Sequence, residues 1–312
     1  MTRNRAIDAV RAVACIFVLF VHCPLPGAAG LYVSAIARFA VPFFLMVSGY
    51  YAFRGEQDAE YAAAKRQLGR TARLTLAGTL FCAAANTLRD TLRGGHPLGW
   101  LNSLLNQTGL FRFFVFNRAI FLSSVMYYLF MLLYVYALFL LLVRTGALRA
   151  SLCLIPLLLG AGVVLNAGLK APWYYTGNFL LTGLPFFLLG YWIAARRPRI
   201  IHPEVLLIPG VLLCCLDTRF NAEIYCGPGA LILSLSVFFT CLIHPQARLP
   251  EWLVRFGRRS SVILFLIHCQ VRDFLQLLLP AAAQGAWLTP LLVLAVSVVI
   301  SALLPALQSL RA

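Results

Sequence analysis

The sequence predicts an all-α fold, a polytopic membrane bundle of about ten transmembrane helices with both termini in the cytoplasm. Three observations predict it. First, 61% of the 312 residues are hydrophobic and 12% are charged, whereas soluble domains carry about 25% charged residues. Second, apolar runs long enough to cross a bilayer follow one another along the whole chain, and the mean hydropathy is +0.85. Third, 26 Lys and Arg stand against 10 Asp and Glu, a formal charge of +16, and these cations gather in alternate loops. This composition excludes an ordinary soluble enzyme, a disordered chain and a coiled coil. The apolar content also argues against nucleic-acid binding, the usual reading of a basic chain.

The first span, near 7–23, superficially resembles a signal peptide. Asp8 and Arg11 interrupt its apolar run, and Cys23-Pro24-Leu25-Pro26 is a poor cleavage site, so it reads as a retained helix. Further spans lie near 31–53, 73–92, 119–143, 150–169, 179–195, 204–217, 229–243, 261–280 and 288–308. Segments 204–217 and 229–243 are the shortest. With the N-terminus inside, the inner loops collect Arg54, Lys65, Arg66, Arg70 and Arg73, then Arg144 and Arg149, Arg196 to Arg199, and Arg248 to Arg259. The outer loops hold only Arg89, Arg93, Arg112, Arg118, Lys170 and Arg219, and this asymmetry fixes the expected orientation. The longest inner loop, about 54–72, is basic and amphipathic and is expected to lie along the inner surface. The longest outer loop, about 93–118, mixes Gly, Pro, Trp and Phe and is expected to fold partly back into the membrane. No internal repeat and no soluble domain is visible, so residues 1–312 read as a single membrane domain. The nine cysteines show no CxxC and no zinc spacing; no metal is expected, and most read as small apolar side chains. A Cys23–Cys226 disulfide is compatible with both lying outside but has weak support.

Charge inside a bilayer costs about 2.5–3.5 kcal/mol per group on insertion scales, so it needs a partner or a task. Asp8 and Arg11 are three apart on the first helix and can pair. Arg11 and His22 are eleven apart, which returns them to nearly the same stripe with a rise of about 16 Å between them. An arginine suits a phosphate or carboxylate, and a histidine suits proton transfer near neutral pH. An ordinary interfacial ion pair with an interfacial histidine accounts for these residues equally well. On the ninth span, His268, Arg272 and Gln276 recur every fourth residue with Asp273 alongside, which reads either as a cavity lining or as hydrogen-bonded helix packing. The second span carries Arg38, Pro42, Ser48, Gly49 and Tyr50. Ser48 lacks a nucleophile-elbow turn, so packing is its default role.

Four stretches in this order resemble an acyltransferase family 3 integral membrane protein. They are Asp8-x-x-Arg11 with His22 completing an R-x10-H pattern, Arg38-Phe39-Ala40-Val41-Pro42-Phe43-Phe44 with Ser48-Gly49-Tyr50, Gly183 to Tyr191, and Ser260-Ser261 to His268. The chain is also similar to the membrane half of vancomycin-resistance serine racemases. Phe265 stands where the late pattern usually has Tyr, Gly177 where an arginine is expected, and Tyr127 where Trp is usual. The resemblance implies transfer of an acyl group, usually acetyl, from cytoplasmic acyl-CoA to a hydroxyl of a cell-envelope glycan or small acceptor, in the inner membrane of a bacterium. It implies His22 as the base, Arg11 holding or polarising the donor, and Asp8 orienting Arg11. Arg38, Ser48, Tyr50, His268 and Arg272 are then substrate-binding candidates, and Arg66, Arg70 and Arg73 are candidate contacts for the CoA phosphates. Direct transfer and an acyl-His22 intermediate are both open. The rival reading is a transporter or flippase for a lipid-linked sugar or small anion, which also needs buried Arg and His. A sensor or assembly partner without turnover is the third reading.

Overall fold

A computed structural model describes residues 3–106, 108–220, 227–279 and 287–309, the side chains of 167, 220 and 305–309 excepted. Among the described residues the fold is all-α. Asn4 caps α1 (Arg5–His22), its side chain accepting from the Ile7 N–H at 2.9 Å. Small residues fill the buried faces of α1, including Ala6, Ala9, Ala12 and Ala14. They let neighbours close in from several sides, which makes α1 central.

The second expected span divides into α2 (Gly27–Ala37) and α3 (Ala40–Tyr50). The break falls at Arg38–Phe39 because Pro42 sits four residues on, where its ring crowds the Arg38 carbonyl and donates no N–H. The basic segment 54–72, expected to lie along the inner surface, does not form a separate helix. It continues into the third span as α4 (Gln57–Leu92), 36 residues long. No Pro or turn sequence interrupts it. At about 54 Å it exceeds the roughly 30 Å hydrocarbon core and extends beyond it.

In the outer loop, α5 (Gly109–Phe116) precedes a left-handed Asn117. The next span starts later than expected, as α6 (Met126–Arg144), because 119–125 form turns. Then follow α7 (Leu154–Val163), α8 (Leu184–Arg196), α9 (Leu207–Phe220) and α10 (Pro228–Ile243). Wide π turns at 164–168 and 179–183 extend α7 and α8. A short helix absent from the sequence reading, α11 (Glu251–Arg259), exposes Trp252, Arg255, Arg258 and Arg259 while burying Val254 and Gly257. It is the amphipathic element that suits a membrane–water interface. α12 (Ser261–Leu278) and α13 (Leu288–Ser309) close the chain. Cys226 and Arg311 lie outside the described residues, so the Cys23–Cys226 pairing does too.

Among the described residues, five segments are long and apolar enough to cross a membrane: Gly27–Tyr50, Met126–Arg144, Leu148–Asn166, Phe179–Arg196 and Ser261–Leu278. Pro228–Ile243 and Leu288–Leu304 are shorter apolar helices. Helices occupy the other three expected spans too, where α1 and α4 carry several charges and α9 is 14 residues long. Phe43, Phe139, Phe186, Phe187 and Phe238 are fully buried between helices. Leu80, Leu157, Ile208 and Leu303 point outward, as a lipid-facing surface requires.

Segments expected inside meet at one end. Arg5 pairs with Glu251 at 2.8 Å, the Asn4 amide donates to the Cys241 carbonyl at 2.7 Å, and Gln57 donates to the Val143 carbonyl at 2.7 Å. There too the buried Glu60 accepts from the Tyr191 hydroxyl at 3.0 and 3.1 Å. Segments expected outside meet at the other end. Asn86 donates to the Leu122 carbonyl at 2.7 Å, and Asn117 accepts from the Phe179 N–H at 2.8 Å. The folded contacts thus sort the loops as the charge asymmetry did.

Candidate functional site

α1 and α12 pack side by side and bring two histidines together. The His22 and His268 rings lie 5.5 Å apart between centroids, tilted by 34°. His268 is fully buried. Its Nδ1 lies 3.0 Å from the Leu264 carbonyl, one helical turn back. A carbonyl only accepts, so Nδ1 carries a proton and the neutral ring presents Nε2 as an acceptor. Among the described residues that Nε2 has no hydrogen-bond partner. Two imidazoles joined by an N–H···N bond of about 3 Å would have centroids only slightly closer than the pair here.

The end of α1 is held by a chain of charges. The Arg272 Nη1 donates to the His22 carbonyl at 2.6 Å, while its Nε and Nη2 donate to Asp273 Oδ1 at 2.9 and 2.7 Å. Asp273 Oδ2 accepts from Arg89 Nη1 at 3.0 Å, and Arg89 also binds Asp90 at 2.9 and 3.0 Å. Two guanidiniums therefore face two carboxylates, and the cluster is neutral as well as hydrogen-bonded. Arg89 and Asp90 come from α4, so three helices are locked at this end.

His22 lines a cavity of about 450 Å³ with Arg38, Val18, Val41, Tyr127 and Trp173. Arg38 reaches it because the break between α2 and α3 sets its side chain at the level of Val18. A second cavity, of about 440 Å³, is polar and lined by Asn86, Arg89, Trp100, Ser103, Arg272 and Asp273. Ile120 and Ser124 belong to the walls of both. Together they offer the His22 imidazole, backed by that of His268, a guanidinium and adjoining apolar and polar space, the parts needed to deprotonate a hydroxyl away from water.

Other expected residues fall elsewhere. Arg11 lies near the opposite end of α1, within electrostatic reach of Tyr51, Tyr128 and Tyr136. It stands 3.9 Å from Asp8, whose carboxylate is bonded more closely by Arg3. Arg3 was missed because it precedes the helix and reaches Asp8 only once the chain turns at Asn4. Ser48 donates to the Phe44 carbonyl of its own helix at 2.9 Å, the packing role expected by default. Tyr50 packs on Tyr51 and Phe238 rather than at the histidine cavity. Arg66, Arg70 and Arg73 are exposed on the extension of α4, where with Lys65 and Gly69 they line an open groove of about 510 Å³. Gln276 lies beyond Arg272 on the same helix. The sequence reading did not single out Arg89, Asp90 or Asn86. Their only signal was polar character near the end of an otherwise apolar span.

Fold and site together define a polytopic membrane protein with a polar, histidine-bearing interior. The acyltransferase domain family, type 3, matches residues 4–305, and the chain belongs to it. Among curated proteins, the serine/alanine racemase of Enterococcus gallinarum is 30% identical over 117 residues, which is 35% of this chain and 17% of that protein. The match thus covers a minor part of the racemase. No solved structure matches the chain.

Proposed function

We propose that the chain moves an acyl group, acetyl in the simplest case, from cytoplasmic acyl-CoA to a hydroxyl of a cell-envelope glycan or small acceptor. It would do so as one domain in the inner membrane of a bacterium, with both termini cytoplasmic. The observation that carries this reading is His22 at the wall of a cavity shared with Arg38, with the His268 ring 5.5 Å from its own. An imidazole removes the acceptor proton as the hydroxyl oxygen attacks the thioester carbonyl. The carbon–sulfur bond breaks, and the CoA thiolate leaves and takes up a proton. His22 is the base, because it lines the cavity, and His268, its ring 5.5 Å away between centroids, is placed to take a hydrogen bond from the imidazolium as it forms. Arg38 faces the same space and stabilises negative charge developing on the carbonyl oxygen. Arg11, with Asp8 and Arg3 behind it, holds the donor nearer the cytoplasmic end. Arg66, Arg70 and Arg73 meet the CoA phosphates at the entrance. Transfer through an acyl-His22 intermediate uses the same groups in two steps.

The test is acyl transfer by the purified full chain, reconstituted in lipid, with labelled acetyl-CoA. CoA release and label transfer that both disappear in His22→Ala and Arg11→Ala support the reading. Solute flux across the vesicle that needs no acyl donor, with CoA release absent, rejects it in favour of transport.

A further inference from the structure

The polar cavity beside the histidine pair adjoins a third cavity of about 160 Å³, with Ser103, Ile120 and Phe121 in both walls. This third cavity is lined by Arg112 and Arg118 together with Ser103, Asn106 and Gly109. Local backbone geometry sets the two arginines side by side. α5 ends in the left-handed Asn117 (φ 47°), and the N–H groups of both Asn117 and Arg118 return to the Arg112 carbonyl. The Asn117 side chain is fully buried and fixes this turn, accepting from the Phe179 N–H and donating to the Tyr127 carbonyl at 3.1 Å. Both guanidiniums then lie over one ring, 5.4 and 5.0 Å from the centre of Tyr174.

The charges differ between the two cavities. In the polar cavity Arg89 and Arg272 are balanced by Asp90 and Asp273. Among the described residues no carboxylate pairs with Arg112 or Arg118, and none lines their cavity. Two like charges held together on a rigid turn repel each other, and an oxyanion between them relieves that repulsion. We infer that Arg112 and Arg118 form an anion subsite for the acceptor, so that the molecule acylated carries a carboxylate or phosphate besides its hydroxyl. The inference rests on the acyltransfer reading above and narrows its acceptor. The neutral polar cavity takes the hydroxylated part, and the arginine pair takes the anionic group.

The test reads binding without any acyl donor. The full chain in phosphatidylcholine nanodiscs is titrated with methyl glucuronide, glucose 1-phosphate and methyl glucoside. At least one of the two anionic ligands is expected to bind tenfold or more tightly than the neutral glucoside, and which one does so identifies carboxylate or phosphate as the group recognised. The preference should vanish in Arg112→Gln with Arg118→Gln. It should persist in Arg112→Lys with Arg118→Lys, which keeps the charge, and in His22→Ala. Equal binding of all three ligands by the unaltered chain overturns the subsite, as does an anionic preference that survives the double Gln variant. Failure of the parent reading looks different: the anionic ligand binds through the arginine pair, yet acetyl-CoA is never consumed.

Discussion

His268 is the residue whose environment is most demanding. Its Nδ1 proton is committed to the Leu264 carbonyl, and its Nε2 is buried without a partner beside His22. An unsatisfied buried acceptor costs about 1–3 kcal/mol, and a donor arriving at that nitrogen recovers the loss. His268→Ala is therefore expected to lower kcat by about 10²–10⁴-fold while leaving the thermal unfolding midpoint near or above that of the parent chain. A kcat within twofold of the parent would remove His268 from the proton path. The base acts only when neutral, so kcat should fall as pH drops and the histidine pair takes up a proton, and should level off toward alkaline pH. Stopped assays from acid to alkaline pH check this, provided CoA release is shown to follow the chemical step.

Between elements, two contacts carry the architecture. α3 and α8 touch backbone to backbone at Gly49 and Gly190. A methyl group at Gly49 would lie 1.8 Å from the Phe187 carbonyl oxygen, and one at Gly190 would lie 2.0 Å from that of Met46. Gly49→Ala and Gly190→Ala should each destabilise the bundle by about 1–3 kcal/mol or more, measured as loss of the folded fraction on heating in detergent. At the other contact, Asp273 joins α12 to α4 through Arg89 and to α1 through Arg272. Asp273→Asn leaves Arg272 without its carboxylate while it still binds the His22 carbonyl. Losing a charged hydrogen bond costs about 1.5–3 kcal/mol. A looser α1 end should lower kcat more than it raises KM, and Asp273→Glu should restore part of the rate. Equal losses of thermal stability in both variants, with kcat and KM unchanged, would limit Asp273 to a purely structural role.

For the whole molecule, the long α4 reaches past the bilayer and carries Arg66, Arg70 and Arg73 on an exposed face. If this face receives the donor, replacing all three with Gln should raise KM for acetyl-CoA about tenfold and leave kcat near its parent value, since the stripe lies far from the histidine pair along the helix. The parent KM should also rise with salt, as expected for exposed charge pairs, and that salt dependence should flatten in the triple variant. A triple variant with unchanged KM at low ionic strength would assign the stripe to the membrane surface instead.

Composition and periodicity were enough for the class of fold. A bilayer demands long apolar helices with internally satisfied backbones, and the runs are visible in order along the chain. The cation asymmetry gave the sorting of loops that the contacts at the two ends reproduce. The site was legible in part. Asp8, Arg11, His22, His268 and Arg272 stood out as polar residues in apolar surroundings. The sequence did not reveal the late start of α6, the continuity of α4 from Gln57 or the interfacial α11, because each depends on where a turn ends rather than on hydropathy. Nor did it reveal which polar residues meet. His22 and His268 are 246 positions apart, and helix periodicity relates only residues a turn or two away. The tertiary structure alone decided that His268 lies beside His22, that His22 shares a wall with Arg38, that Arg272 holds the end of α1, and that Arg112 and Arg118 converge on one ring, because interhelical packing sets those distances.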